Sequence, residues 1–515
     1  MSSSLASAII RRCCLKYSLD SYRHFSLQVA APPMSEEKKS DAPDLPFSEG
    51  FAVSRQFWTL LILGGLLGGF IGLVSSGFMN FVHQIPTYYV TCSFNTDVEC
   101  GKYYHGDVTW IGIIALSGFV VGVLRWASQI PDDLPGFYQE IVRAEGNSKW
   151  FVVMYLVVAL SLGGGACLGP EQGVGVFGAG LAQLLIDGPL TSILTEEGDR
   201  RMFVLCGLAG AMGCLFPTPV LGTQMIFELG QPKFKPYMEA ICLLFTCAVI
   251  AWAVYYALLP VTFLGITSPS FSLSQQYQKD FQEEHIVVGF IIGCISAFLG
   301  FLIIISLGIL QRVFGVMKAL LSFNSFLRQV VPTIIGGVVI GCVNWALPLS
   351  FGRGDIQTNY ILQFGSNEKL VDLGLLLATG FARIFLLAVS NGCGFKGGLF
   401  FPIFSIGIIA GVVTYRLYSF LPLGLTVGCF MAALPISIVP MPFTMTGVIY
   451  FTFFFGDVET IPIAVASFTS YMILNGSGIL KSMVTSRSAA DKQPDLAVVS
   501  NDAIASFGKP IDSSA

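Results

Sequence analysis

Between residues 57 and 474 the chain is a succession of apolar segments, and several are too short or too broken to cross a bilayer as straight helices. They cover 57–82, 108–126, 150–162, 202–215, 240–259, 286–310, 331–347, 370–389, 399–421, 425–439, 447–455 and 461–474. A straight spanning helix needs roughly 20 apolar residues to match a hydrocarbon core of about 30 Å. Glycine and proline make the breaks: CLGPEQG, LFPTPVLG, GFKGGLFFP and IVPMPFTMTG. Lipid cannot satisfy the backbone groups that such breaks expose. Irregular backbone at membrane depth therefore survives only where protein buries it or a wet cavity borders it. Interrupted segments in both halves of a chain point to the broken helices of a transport protein. Charge agrees: charged residues make up 12% of the 515 and mean hydropathy is +0.71, against roughly 25% charged residues in a soluble domain. The pattern predicts an all-α polytopic membrane protein with many short, broken, tilted helices.

Residues 1–54 are a polar N-terminal tail and linker. The first 35 are rich in Ser and Arg, nearly free of acids, and lack the apolar core of a secretory signal. An organelle transit peptide and a disordered cytosolic tail both fit. The membrane therefore stays open between a plastid or mitochondrion on one hand and the plasma membrane or another endomembrane on the other. A polar connection at 261–285 divides the apolar part into 55–260 and 286–480, and a polar tail follows at 481–515. Each half holds one glycine-rich break that leads into a helix, at 163–173 and 391–402, which suggests an internal repeat. Arg11, Arg12, Lys16, Arg23, Lys38, Lys39 and Arg55 precede the first span, and Lys102 alone follows it in the next loop, so the N-terminus is expected on the cytosolic side. A net charge of −4 gives no reason to expect a nucleic-acid partner. Cysteines such as Cys167, Cys206, Cys214, Cys294 and Cys342 lie inside apolar runs and read as small buried residues. Cys92 and Cys100 share one polar loop and could pair in an oxidising compartment.

Glu171 is the only Asp, Glu, Lys, Arg or His between Lys149 and Asp187. A carboxylate at mid-membrane costs roughly 2.5–3.5 kcal/mol on insertion scales, so it persists where it faces a wet pathway or a partner. A helix starting just after GPEQG would put Glu171 at its positive end, beside unpaired backbone N–H groups. The same geometry binds a free anion. Two readings follow: a carboxylate that competes with an anion for its site, or one that caps its own helix.

These breaks resemble those of the CLC chloride channels and chloride/proton antiporters, over about residues 55–480. The family's first signature is a Gly-Arg/Lys-Glu-Gly-Pro turn whose glutamate is the gate. It stands here as Gly169-Pro170-Glu171-Gln172-Gly173, with the glutamate kept and its neighbours changed. The second, Gly-x-Phe-x-Pro, is intact as Gly398-Leu399-Phe400-Phe401-Pro402. FPTPVLGTQMIFELG, FGRGDIQTNYIL and MAALPISIVPMPFTMTGVIYF follow in family order. The resemblance implies a CLC-type fold of two inverted repeat halves and a homodimer with one pathway per subunit. It also implies anion contacts at Gly169, Pro170, Glu171, Gly398, Leu399, Phe400 and Pro402, with the backbone N–H groups of Leu399 and Phe400 as donors.

Three departures matter. The family's first anion loop, Gly-Ser-Gly-Ile-Pro, is eroded; its candidate here is Asp132, Asp133, Leu134 and Pro135, with SQIP at 128–131 a rival. The antiporters carry an inner glutamate directly after the position matched by Glu228, and Leu229 stands there. The anion-contacting tyrosine near the C-terminal end has no match, and Leu480 lies near its place. Eukaryotic members usually carry a cytosolic pair of CBS domains, for which the residues after 480 leave no room. Arg383 and Lys396 either tune the potential at the second loop or make an ion pair or headgroup contact. The expectation is a gated passive chloride channel with Glu171 as gate, embedded in lipid and needing no cofactor or metal. A chloride/proton antiporter and a nonconducting relative remain as alternatives. A membrane enzyme is disfavoured because no HExxH, paired acids or phosphate loop accompanies Glu171.

Overall fold

The computed structural model describes residues 54–89, 106–131, 134, 136–232, 235–259, 273–274, 277 and 280–476. The candidate loop residues Asp132, Asp133 and Pro135, the pair Cys92 and Cys100, both termini and Leu480 lie outside the described residues.

Each glycine or proline break ends one helix and starts another. The first half holds α1 (Arg55–Tyr89), α2 (Thr109–Ala127), α3 (Phe137–Arg143), α4 (Phe151–Gly163), α5 (Glu171–Asp187), α6 (Glu197–Leu215), α7 (Pro219–Gly230) and α8 (Tyr237–Leu258). The second holds α9 (His285–Leu320), α10 (Ser325–Ala346), α11 (Asp355–Phe364), α12 (Leu373–Cys393), α13 (Phe400–Leu417), α14 (Leu423–Ile436), α15 (Pro442–Phe453) and α16 (Asp457–Tyr471). Among the described residues 7 helices are long and apolar enough to cross a membrane: α1, α2, α8, α9, α10, α12 and α13. The exposed side chains of α1 include a stripe of Trp58, Ile62, Leu66, Phe70 and Leu73, spaced three or four apart. That is the face a lipid-facing helix presents. Cys167, Cys206 and Cys214 are buried as expected, whereas Cys294 on α9 is half-buried and Cys342 on α10 is exposed, in apolar stretches where lipid accepts a thiol at little cost.

Two long helices outrun their apolar segments. α1 continues past residue 82 to Tyr89 with Pro86 inside it, and α9 continues past residue 310 to Leu320. Hydropathy falls where a helix leaves hydrocarbon, but the backbone ladder does not stop there. The short helices α3 and α11 had no apolar run to announce them.

The two halves repeat helix for helix. α1 packs on α8 as α9 packs on α16; α1 meets α6 as α9 meets α14; α6 meets α8 as α14 meets α16. The pairs α2–α10 and α7–α15 join the halves. The sequence echoes this at the close contacts. GGFIG at 68–72 recurs as GFIIG at 289–293, and GFVVG at 118–122 as GVVIG at 337–341. A Cβ at Gly68 or Gly72 would strike the carbonyls of Cys247 or Ala251 in α8. One at Gly289 or Gly293 would strike those of Pro462 or Ala466 in α16. Small residues four apart let helix backbones approach, which is how helices associate in lipid.

Candidate functional site

The two glycine-rich breaks meet. The chain between α4 and α5 and the chain between α12 and α13 touch at Gly169 and Gly398, whose N–H and C=O groups exchange two hydrogen bonds of 2.7 Å. A Cβ at either glycine would fall on the Glu171 carboxyl group, so the contact needs residues without side chains. Three further bonds lock the crossing. The Cys167 amide donates to Ser390 Oγ (3.1 Å), the Lys396 amide to Ser161 Oγ (3.3 Å), and the Gly397 amide to Gln172 Oε1 (2.9 Å). Buried Arg125 of α2 donates to the Gly394 carbonyl (3.1 Å), where φ is +123°.

Pro170 is the N-cap of α5 and Glu171 its first residue. Leu399 is the N-cap of α13, Phe400 its first residue, and Pro402 lies in its first turn. A helix leaves its first four N–H groups without intrahelical acceptors, and a proline there removes one that had no partner anyway. The Phe400 amide donates to Glu171 Oε1 at 2.5 Å. The carboxylate therefore sits on the positive end of the opposite helix as well as at the start of its own, whose N-cap residue, Pro170, supplies no side-chain bond. Glu171 is 2% exposed, and its Oε2 is buried without a hydrogen-bond partner. The residues named from the motifs, Gly169, Pro170, Glu171, Gly398, Leu399, Phe400 and Pro402, thus lie at one crossing of two helix N-termini. Of the candidate first loop, Leu134 alone is described, half-buried against the core. The helix that follows, α3, begins at Phe137, whose ring fills the space a Cβ on Gly175 of α5 would need.

Gln172 reads in the sequence as a departure from a motif. In the structure its side chain holds the second break in place, and no local signal could announce a partner 225 residues away. Arg383 is fully buried and donates to the carbonyls of Leu349 (3.4 Å) and Gly352 (3.3 Å). Among the described residues it bonds no carboxylate, and it braces the turn before α11. Glu228, in the last turn of α7, accepts from the amides of Phe443 (2.9 Å) and Thr444 (2.8 Å) and from Thr444 Oγ1 (2.7 Å) at the start of α15. Leu229 beside it is buried. Among the described residues no group of three or more His, Cys, Asp or Glu could hold a metal ion.

A family model described as Voltage gated chloride channel matches residues 115–475, more than half of the chain. Chloride channel protein CLC-f of Arabidopsis thaliana is 24% identical over 379 residues, 69% of this chain and 45% of that protein. The chain thus matches less than half the length of that plant relative. The ion-transport protein YfeO of Shigella boydii is 23% identical over 331 residues, 62% of this chain and 71% of that one. Among solved structures, a slow cyanobacterial Cl−/H+ antiporter shares the fold with a TM-score of 0.68 at 17% identity, covering 86% of this chain and 100% of that chain. A CLC-type fluoride/proton antiporter follows at 0.62 and 18%, covering 81% and 95%. With the crossed breaks, the repeated halves and the family match together, the chain is an integral membrane protein that belongs to the CLC, or voltage gated chloride channel, family.

Proposed function

We propose that this chain is a gated, passive channel for chloride and anions of similar size, and that Glu171 is its tethered gate. The observation that carries this reading is the seat of the Glu171 carboxylate: one oxygen on the Phe400 amide, the other buried and unpartnered. A helix N-terminus that accepts a carboxylate accepts a free anion by the same dipole and N–H groups. A helix end contributes about 0.3–1 kcal/mol to a nearby charge, up to about 2 when partly buried. Such binding is weak enough for an ion to leave, which conduction requires. An arriving anion and the carboxylate compete for one seat, and protonation of Glu171 removes its claim to it.

Passive flow is favoured because Leu229 carries no proton, and Glu228 beside it is tied to Phe443 and Thr444 by three hydrogen bonds. A second reading, coupled anion/proton exchange, is favoured by the antiporter descriptions of two solved relatives. As the working unit we take a homodimer in lipid with one pathway per chain. Vesicles holding the purified full chain test both readings. A chloride gradient should collapse through the protein, and a pH gradient alone should not drive chloride uphill. Uphill accumulation at a fixed stoichiometry would establish exchange instead. No chloride movement through correctly folded protein would end the transport reading.

A further inference from the structure

A second cluster of charge lies away from the crossed breaks, at the end of α1 opposite Arg55. His83 of α1 faces the turn Phe351-Gly352-Arg353-Gly354-Asp355 that starts α11. Gly352 and Gly354 have φ of +56° and +94°, which let the turn close tightly around Arg353. Arg353 Nη2 donates to Asp355 Oδ2, and His83 Nδ1 lies 3.3 Å from both of those atoms. One side of the guanidinium is thereby used. Its other nitrogen, Nη1, is buried with no acceptor, and Arg353 is only 7% exposed. Two residues after Asp355, Gln357 is 1% exposed and its Nε2 donor is likewise buried with no acceptor. Both side chains wall the same small cavity, with Val82, His83, Leu162, Phe351 and Asp355, whose carboxylate is already taken up by Arg353 Nη2 and His83. Its free space admits the centre of a water-sized sphere over about 10 Å³, which is room for one such occupant.

Charge points the same way. Arg383 lies behind this turn, bonded to the carbonyls of Leu349 and Gly352. Two guanidinium groups, which stay protonated in proteins, are set, among the described residues, against the carboxylate of Asp355. Buried charge that lacks a counter-charge is costly, and unpartnered buried donors in a native site call for an occupant.

We propose that this cavity is a separate anion site that takes one small monatomic anion, held by Arg353 Nη1 and Gln357 Nε2, with Asp355 and His83 fixing the guanidinium. The site stands on its own geometry and does not depend on how Glu171 works. Its wall includes Leu162, next to the glycine break that runs on to Glu171, so an anion held here waits beside that break.

Bromide is the probe. In crystals of the full chain soaked in sodium bromide, anomalous scattering should place bromide within hydrogen-bond distance of Arg353 Nη1 and Gln357 Nε2, and Arg353→Gln should abolish that peak. Should Arg353→Gln fail to fold, Gln357→Leu keeps the Arg353, Asp355 and His83 contacts and removes one donor. Bromide titration of that variant should show binding about tenfold weaker at this site. A cavity in the parent that holds water or nothing at saturating bromide overturns the proposal, as does unchanged binding in both variants. Vesicles without chloride flux, from protein that keeps the bromide peak, would end the transport reading and leave this site standing.

Discussion

Two carboxylates in this molecule sit on the N-termini of helices they do not belong to, and they are satisfied to different degrees. Glu228 receives two backbone amides and a hydroxyl at 2.7–2.9 Å, spread over both of its oxygens. Glu171 receives the Phe400 amide on one oxygen, while the other is buried without a partner. Glu228 is half-buried and Glu171 is 2% exposed. A carboxylate with several donors at normal distances is a helix cap and gains by staying. One with a buried oxygen that accepts no bond recovers less of the cost of leaving water, so it is the easier of the two to displace. The degree of satisfaction, more than the placement at a helix end, separates a gate from a brace.

The change that breaks this comparison most completely is Gly398→Ala. Its Cβ would land on the Glu171 carboxyl group, with the backbone pinned by the Gly169 bridge. The carboxylate should be pushed off the Phe400 amide, and flux at alkaline pH should rise about tenfold or more if the seat is worth a charged hydrogen bond. Vesicle flux across a pH series checks this. A parent-like pH profile from folded Gly398→Ala protein would mean that the carboxylate never held the pathway closed.

A smaller effect sharpens the other side. Glu228→Ala leaves the first amides of α15 without their acceptors, and should lower stability by about 1–2 kcal/mol, as loss of a helix cap does. Thermal unfolding of the purified protein measures that, and flux per folded molecule should keep its pH dependence. A flattened pH profile in Glu228→Ala would erase the distinction between the two carboxylates.

Glu171 was legible because it is a lone charge in a glycine-rich apolar stretch, and Pro170 and Gly169 mark the helix start around it. Its seat was not, since the Phe400 amide lies 229 residues further on and a helix N-terminus has no side-chain signature. The resemblance supplied Phe400 as a backbone donor, and the geometry then put that amide on Glu171. The spanning helices were legible wherever hydropathy and helix end together. α3 and α11 were hidden, because neither is an apolar run: α3 buries only Phe137, Glu140 and Ile141, and the mostly buried α11 carries polar side chains inside the protein. The repeat shows in the sequence as two matching breaks, while its residue-level echo is faint. GGFIG and GFIIG agree in the spacing of small residues at close contacts more than in overall identity. Gln172 and Arg383 read in the sequence as a departure and a loose cation because their backbone partners, the Gly397 amide that Gln172 accepts from and the Gly352 carbonyl that Arg383 donates to, lie in distant segments.

The central claim is that the weakly satisfied carboxylate gates and the well satisfied one braces. Chloride flux in vesicles, measured across one pH series for the parent, Glu171→Gln and Glu228→Gln, tests it most directly. Both variants remove one charge and keep the shape of the side chain. The account predicts that the parent opens as pH falls and that Glu228→Gln follows the parent's profile. Glu171→Gln should conduct at every pH with little dependence on it. Glu171→Gln protein that keeps the parent's full pH dependence would contradict the account and leave Glu171 as a cap on α13.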